Sequence, residues 1–329
     1  MSRSEFEFID SLRRRFGDAI GDDAALLRST AENEIVITTD LLVEDSDFRR
    51  TTAPALLLGH KALAVSLSDI AAMGARPRWS LISLGVPEDV WQTDFVDQFY
   101  EGLASLAHKY DVQLIGGDTS RTPDKLVIDS IVLGECRADH AVKRAGAQPG
   151  EQIFVTGSLG GAAAGLRLIE RGAHLAEHNL ADDDSQKIDH VLLRQLRPEP
   201  RVGWGIVLGD ERLATSMIDI SDGLSSDLNH LCTASGVGAA IESSLLPIDS
   251  RVVELCGRRA LDPLQLALHG GEDFELLFTV RSENVARLPR RVDGVEITRV
   301  GEITNVADGV KISEGPRVWE LNPGGWKHF

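Results

Sequence analysis

Carboxylates recur along this chain in small islands, most of them beside glycine or hydroxyl residues. They are Asp22-Asp23, Thr38-Thr39-Asp40, Asp69, Asp118, Asp219 with Ser221-Asp222, and Glu272-Asp273. The densest stretch is Ile35 to Phe48, where Asp40 is followed by Glu44, Asp45 and Asp47 with no Lys or Arg between. A carboxylate withdrawn from water needs hydrogen bonds, a basic partner or a metal ion. Oxygen-only ligands suit a hard cation such as Mg²⁺. Taken alone, the stretch has two readings, metal ligands or a strand running into a solvated acidic loop; the recurrence of the pattern favours the first. Asp69 falls near the C-terminal end of a helix, where the macrodipole disfavours negative charge. It needs either a salt bridge, to Lys61 or Arg76, or a metal. No Ser/His/Asp or Cys/His arrangement has local support, which argues against acyl transfer. Clustered aspartates with few basic residues fit Mg²⁺-dependent polyphosphate chemistry. If the acceptor there is a phosphate oxygen, it is already anionic, and charge neutralisation matters more than a general base.

Composition narrows the class. The chain has 329 residues, enough for two ordinary domains, and is 43% hydrophobic and 26% charged, as globular proteins are. Asp and Glu number 51 against 34 Lys and Arg, a formal charge of −17. With no basic stripe, a nucleic-acid partner is not expected. An anionic ligand would need bound cations to approach such a surface. No apolar run of about 20 residues suggests a membrane span, and the first residues lack the pattern of a signal peptide. Cys136, Cys232 and Cys256 are too widely spaced for a disulfide framework or a zinc site, so a reducing, cytoplasmic setting is expected.

These acids must be positioned by regular elements. Residues 5–16 read as an amphipathic helix. The β-branched run at Ile35 starts a strand that ends in Thr38-Thr39-Asp40. Residues 52–73 form the clearest helix, apolar almost all round and therefore buried, with Thr52 as its cap and Gly74 at its stop. A helix over 93–110 leads into a short strand, 112–115, that ends at Gly116-Gly117-Asp118. Paired glycines there, and before Glu272, permit close backbone approach to a ligand. A strand follows at 126–135, then a basic patch, Lys143-Arg144, before a boundary at Gln148-Pro149-Gly150. The second half opens with a strand at 152–156 and the turn Gly157-Ser158-Leu159-Gly160-Gly161. That turn is either a phosphate cradle or, the preferred reading, a close helix–sheet packing turn. The acidic run 181–185 reads as a solvated loop. A strand at 215–220 delivers Asp219 and Ser221 to one face, with a helix at 224–234 behind it; capping explains one of the oxygens at 219–222, not all. A strand at 275–280, a helix at 282–290 and a strand at 296–301 complete the reading.

Several of these segments resemble the thiamine-monophosphate kinases. They are Gly21-Asp22-Asp23-Ala24-Ala25, Thr38-Thr39-Asp40, the run from Lys61 to Ala75 containing Ser66-Leu67-Ser68-Asp69, Leu114-Ile115-Gly116-Gly117-Asp118-Thr119, Asp219-Ile220-Ser221-Asp222-Gly223-Leu224 and Gly270-Gly271-Glu272-Asp273-Phe274. Their order and spacing match over essentially the whole chain. The Gly-Gly-Glu-Asp-Phe box and the His328-Phe329 ending favour this family over the related aminoimidazole-ribonucleotide synthetases, selenophosphate synthetases and hydrogenase-maturation proteins. The resemblance implies an α/β (α+β) two-domain fold of the aminoimidazole-ribonucleotide synthetase kind. An N-terminal domain, 1–147, would have a mixed sheet that forms a barrel with its twin in a homodimer, and a C-terminal α/β domain would span 148–329. It implies transfer of the ATP γ-phosphoryl group to thiamine monophosphate. Asp23, Thr38, Thr39, Asp40, Asp69, Asp118, Asp219 and Asp222 would hold Mg²⁺, and Tyr100, Gly117, Asp118, Arg144 and Ser221 would contact ATP. Glu272 and Trp326 would contact the thiamine, a carboxylate and an aromatic face being suited to a thiazolium cation. Where the family has a His just before the Phe of the 44–48 segment, this chain has Asp47, which would meet the substrate instead. Two other readings compete: an ATP-dependent synthetase of the same superfamily, and a nucleotide-binding module without turnover.

Overall fold

A computed structural model describes residues 22–175, 183–259 and 261–326. The expected helix at 5–16, residues 181 and 182 of the acidic run and the last three residues lie outside the description; the rest of that run, expected as a solvated loop, opens the helix Asp183–Leu196. Within it, strands β1 (Ala25–Arg28), β2 (Asn33–Val43), β3 (Arg76–Pro87), β4 (Gln113–Thr122) and β5 (Val127–Arg137) form a mixed sheet in the order β1-β2-β5-β3-β4. Only the β3–β4 pair is parallel. Helices α1 (Ala55–Ala72) and α2 (Phe95–Lys109) cover one face. The other half carries an eight-stranded sheet in the order β13 (Arg317–Glu320), β12 (Val310–Glu314), β8 (Gly238–Glu242), β11 (Val295–Thr304), β6 (Gln152–Thr156), β9 (Leu276–Val280) and, at its edge, β7 (Ala214–Asp219), with β10 (Arg291–Val292) paired to β11.

Helix α1 is the axis of the molecule. Its apolar surface runs all round because it is enclosed all round, by the first sheet, by α2 and by the helix Val202–Asp210. No membrane span was expected, yet α1 has the length and hydropathy of one; 83% of that window is buried inside the protein, as a core helix should be. The approach to α2 is backbone on backbone. A Cβ on Gly102 would stand 1.8 Å from the Leu56 carbonyl oxygen, and one on Gly59 at 1.8 Å from that of Phe99. Gly74, with φ +68°, ends α1 as expected. Its start differs: Pro54 occupies the cap position, and the Thr52 hydroxyl donates to the Arg49 carbonyl instead.

Two strands run further than their sequences suggested. β2 continues through Thr38-Thr39-Asp40 to Val43, so these residues lie mid-strand. β4 continues through Gly116-Gly117-Asp118 to Thr122, so that box is an edge strand and not a loop after one. Gly117 is required there by its neighbour, since a Cβ would meet the Ile82 carbonyl oxygen at 1.9 Å. The segment after β9 is a 3-10 turn, Ser282–Arg287, instead of a helix.

Candidate active site

Alternation along β2 divides its chemistry between two faces. Thr38 and Asp40 share the inner face with buried Val36 and Leu42, turned towards α1. Thr39 and Leu41 point the other way. On the inner side, α1 presents Ser66, Ser68 and Asp69 within one turn, and β7 ends at Asp219. The Thr38 hydroxyl donates to Asp69 at 2.5 Å, Ser66 to Asp40 at 2.6 Å and Ser68 to Asp219 at 2.6 Å. Each of these three acids therefore has one hydroxyl holding one oxygen. Asp23 enters from the segment before β1 and takes the Arg144 guanidinium at 2.7 Å.

Carboxylate oxygens of Asp23, Asp69 and Asp219 lie within 4.8 Å of one another. Arg144 is the one cation bonded to this trio among the described residues. Burial pushes all three acids up, and neighbouring carboxylates add to it: the other cluster acids at Asp69 and Asp219, and Asp22 at Asp23. Asp219 is pushed to about 8, Asp69 well above the usual carboxylate range, and Asp23 upward despite Arg144. Asp40 rises to about 6, chiefly by burial. The second oxygen of Asp23 is buried with no hydrogen-bond partner. Converging, desolvated, incompletely partnered carboxylates are what a divalent cation would satisfy.

The salt bridges proposed for Asp69 are not formed. Lys61 instead binds Glu272 at 2.6 Å. Two other acids of the Ile35 to Phe48 stretch find partners from outside it. Glu44 pairs with Arg50 at 2.5 Å and accepts the Leu126 N–H, and Asp45 pairs with Lys125. Asp47 accepts the Val43 N–H at 2.7 Å, closing its own turn.

A second group surrounds the turn after β7. Asp222 lies with Asp227 and His230 of the helix Leu224–Ser235, their ligand atoms within 4.8 Å. Asp227 accepts the N–H groups of Asp222 and Gly223; burial, then Asp222 and Asp219, drive its carboxyl well up. Burial, assisted by Arg144, lowers His230 to about 4. Successive carbonyls of this turn receive two distant segments. The Glu272 N–H donates to Ser221 at 2.7 Å, and the Trp326 N–H to Asp222 at 3.1 Å. The two residues expected at a thiamine moiety thus hang from adjacent positions of the turn bearing Ser221 and Asp222.

Three candidates lie elsewhere. Thr39 donates to Asp129 at 2.7 Å on the outer sheet face. Asp118 is exposed and shares that face, in register with Ser83 and through it with Asp129. Tyr100, on α2, packs edge-on against Phe99. Asp129 and Asp227 escaped sequence reading, since an isolated acid in a strand or helix carries no local signal. Ser66 and Ser68 stood inside a quoted motif and could have been assigned as the hydroxyls that orient its acids. The glycine-rich turn at 157–161 is no phosphate cradle: Asp273 occupies that helix N-terminus, accepting from Gly160 at 2.6 Å and Ala162 at 3.1 Å. The turn is closely packed, but against a helix instead of the sheet: a Cβ on Gly160 would stand 3.1 Å from the Ala267 nitrogen of the helix Pro263–His269.

Comparison with known proteins fits this arrangement. Residues 21–136 match the AIR synthase related protein N-terminal domain and residues 148–312 its C-terminal domain. The thiamine-monophosphate kinase of Escherichia coli (strain K12) is 38% identical, over 98% of this chain and 95% of that protein. This chain belongs to the thiamine-monophosphate kinase family. The Bacillus subtilis (strain 168) member is also 38% identical, over 91% of each chain. A solved structure, AaThiL complexed with AMPPCP and TMP, superposes with a TM-score of 0.86 at 33% identity, covering 99% of this chain and 97% of that one. The family's two-domain mixed α/β fold is the one seen here.

Proposed function

We propose that this protein transfers the γ-phosphoryl group of ATP to thiamine monophosphate, giving ADP and thiamine diphosphate. The observation that carries the reading is the convergence of Asp23, Asp69 and Asp219, from both halves of the chain, into one desolvated carboxylate cluster. The family's named activity and the AMPPCP and TMP held by AaThiL support the same chemistry.

The donor set fits Mg²⁺: all oxygen, negative, and short of hydrogen-bond partners at Asp23. Asp23, Thr38, Asp40, Asp69, Asp219 and Asp222 would hold it. Bound there, it would supply charge neutralisation to adjoining phosphates. The hydroxyls of Thr38, Ser66 and Ser68 fix one oxygen each of Asp69, Asp40 and Asp219, leaving the others to face a ligand. Arg144 keeps the cluster from being wholly anionic. No side chain is needed as a general base, because a phosphate acceptor is already ionised at neutral pH. Glu272 and Trp326 would receive the thiamine beside the Ser221-Asp222 turn, and Asp47, Tyr100, Gly117 and Ser221 remain candidate contacts.

The outer sheet face supports a homodimer. Leu41 on β2 is 63% exposed, and on β4, which has no further strand beyond it among the described residues, Ile115 is 51% and Leu114 41% exposed. Such a surface favours pairing with a second copy, which would cover Thr39, Asp118 and Asp129. Three free buried cysteines are consistent with a reducing compartment.

Incubation with ATP, thiamine monophosphate and MgCl₂, followed by phosphorus NMR, should give ADP and thiamine diphosphate. Absence of a diphosphate product would point instead to a synthetase of the same superfamily. Asp40→Asn should abolish turnover while circular dichroism shows a retained fold; wild-type kcat in that variant would refute the site.

A further inference from the structure

We infer that Lys61 and Gln195 are positioning residues that clamp Glu272 and so set the affinity for the cationic half of the phosphate acceptor. The inference rests on the reading of Glu272 as a thiamine contact and deepens it.

Both oxygens of Glu272 are held, by different halves of the molecule. Lys61 Nζ of α1 lies 2.6 Å from Oε1. Gln195 Nε2, from the helix Asp183–Leu196, donates to Oε2. This hydrogen bond fixes the amide's orientation, since only the NH₂ side can donate to a carboxylate. Gln195 Oε1 is consequently left buried without a partner. Lys61 and Gln195 are 4% and 5% exposed, whereas the Glu272 side chain keeps 30% of its surface open. Two enclosed groups thus grip a carboxylate whose remaining edge is accessible. Glu272 also sits at φ +64°, a conformation uncommon for a residue with a Cβ. Its N–H is tied to the Ser221 carbonyl, so main chain and side chain are both constrained. Local strain of this kind persists where surroundings over-determine it.

The clamp also has a place along the site. Lys61 precedes Asp69 by eight residues on one continuous helix, about 12 Å along its axis at 1.5 Å per residue. One rigid element therefore holds an acid of the cation cluster at one end and the Glu272 clamp at the other. The clamp has an electrostatic consequence as well. Because the ammonium already neutralises Glu272, attraction for a cationic ring depends on where the exposed oxygen edge is aimed more than on net charge.

Steady-state kinetics on folded Lys61→Met, Lys61→Arg, Gln195→Leu and Glu272→Gln variants, with ATP, thiamine monophosphate and MgCl₂, test this. Lys61→Met and Gln195→Leu should each raise KM for thiamine monophosphate about tenfold, with kcat and the KM for ATP within about twofold of wild type. Lys61→Arg should recover most of the loss. Adding Lys61→Met to Glu272→Gln should have little further effect, because the two act through one contact. The inference is overturned if Glu272→Gln raises that KM while Lys61→Met and Gln195→Leu do not, or if both substrates are affected alike. If Glu272→Gln itself leaves that KM unchanged, the thiamine contact assigned to Glu272 falls, and the clamp with it. Should Lys61→Met fail to fold, Gln195→Leu and Lys61→Arg decide the matter by the same criteria.

Discussion

Replacing Asp69 by Asn should move stability and activity in opposite directions. Oxygens of Asp69 lie within 4.8 Å of those of Asp23 and Asp219, and one guanidinium serves all three. Two full charges at that separation repel by about 3.5 kcal/mol at an effective dielectric near 20. Without metal, most of this is relieved by proton uptake, since burial first and the neighbouring acids second raise Asp69 and Asp219. What Asn recovers at pH 8 is therefore the residue of that repulsion, about 1–2 kcal/mol. Asn keeps an oxygen to accept the Thr38 hydroxyl, so no buried donor is orphaned. Thermal unfolding in EDTA at pH 8 should show the variant melting about 2–4 °C above wild type. With MgCl₂ the order should reverse, because wild type gains stability from the ion and the variant gains little. Turnover should be lost. A variant that melts lower than wild type in EDTA, or that is stabilised equally by Mg²⁺, would refute the account of the cluster as a cation site held against its own repulsion.

Affinity for Mg²⁺ should rise from pH 5 to pH 8, with protons released on binding, because the ion displaces protons from Asp40, at about 6, and Asp219, at about 8; calorimetry in buffers of different ionisation enthalpy would count them. These folded-state values lie above the ordinary one, so the metal-free protein should lose stability as pH climbs from about 4 through 8, visible as a falling melting temperature in EDTA. Glu275→Gln removes the carboxylate that binds Arg201 and, at 3.1 Å, Arg194 inside the second domain; leaving two buried guanidiniums short of a partner should cost about 3–5 kcal/mol in urea unfolding. Gly102→Ala must push α2 off the Leu56 carbonyl and should cost about 3 kcal/mol or more, read in the same assay.

Much of the site could be read from sequence because its acids sit in unusual local settings. Asp69 near a helix end, Asp219 at a strand end and the glycine-flanked Glu272 each broke a local rule, and such breaks concentrate where function lies. The division of β2 between two faces was not readable. Ile35, Val36 and Ile37 are apolar on both sides of the strand, so no alternation reveals which of Thr38, Thr39 and Asp40 turns towards α1. Partners from distant segments were equally hidden. Arg50 for Glu44, Lys125 for Asp45 and Lys61 for Glu272 are tertiary facts; the first two turn suspected ligands into ordinary ion pairs, and the third adds a clamp to a suspected contact. At the Gly116-Gly117 pair the sequence is ambiguous for a physical reason: glycine signals close approach without saying to what, and at Gly117 one approaching atom is a carbonyl of β3.

The glycine contact between α1 and α2 leaves the rod carrying Ser66, Ser68 and Asp69 almost no slack. Two backbones already touching cannot be pressed closer to yield the fraction of an ångström that a larger ion would ask of its ligands. Ca²⁺, with its longer bonds and appetite for more oxygens, would have to distort the core to be seated, whereas Mg²⁺ asks for a compact octahedron. Discrimination between the two cations would then be enforced by the packing of α1 on α2, through residues that never meet the ion.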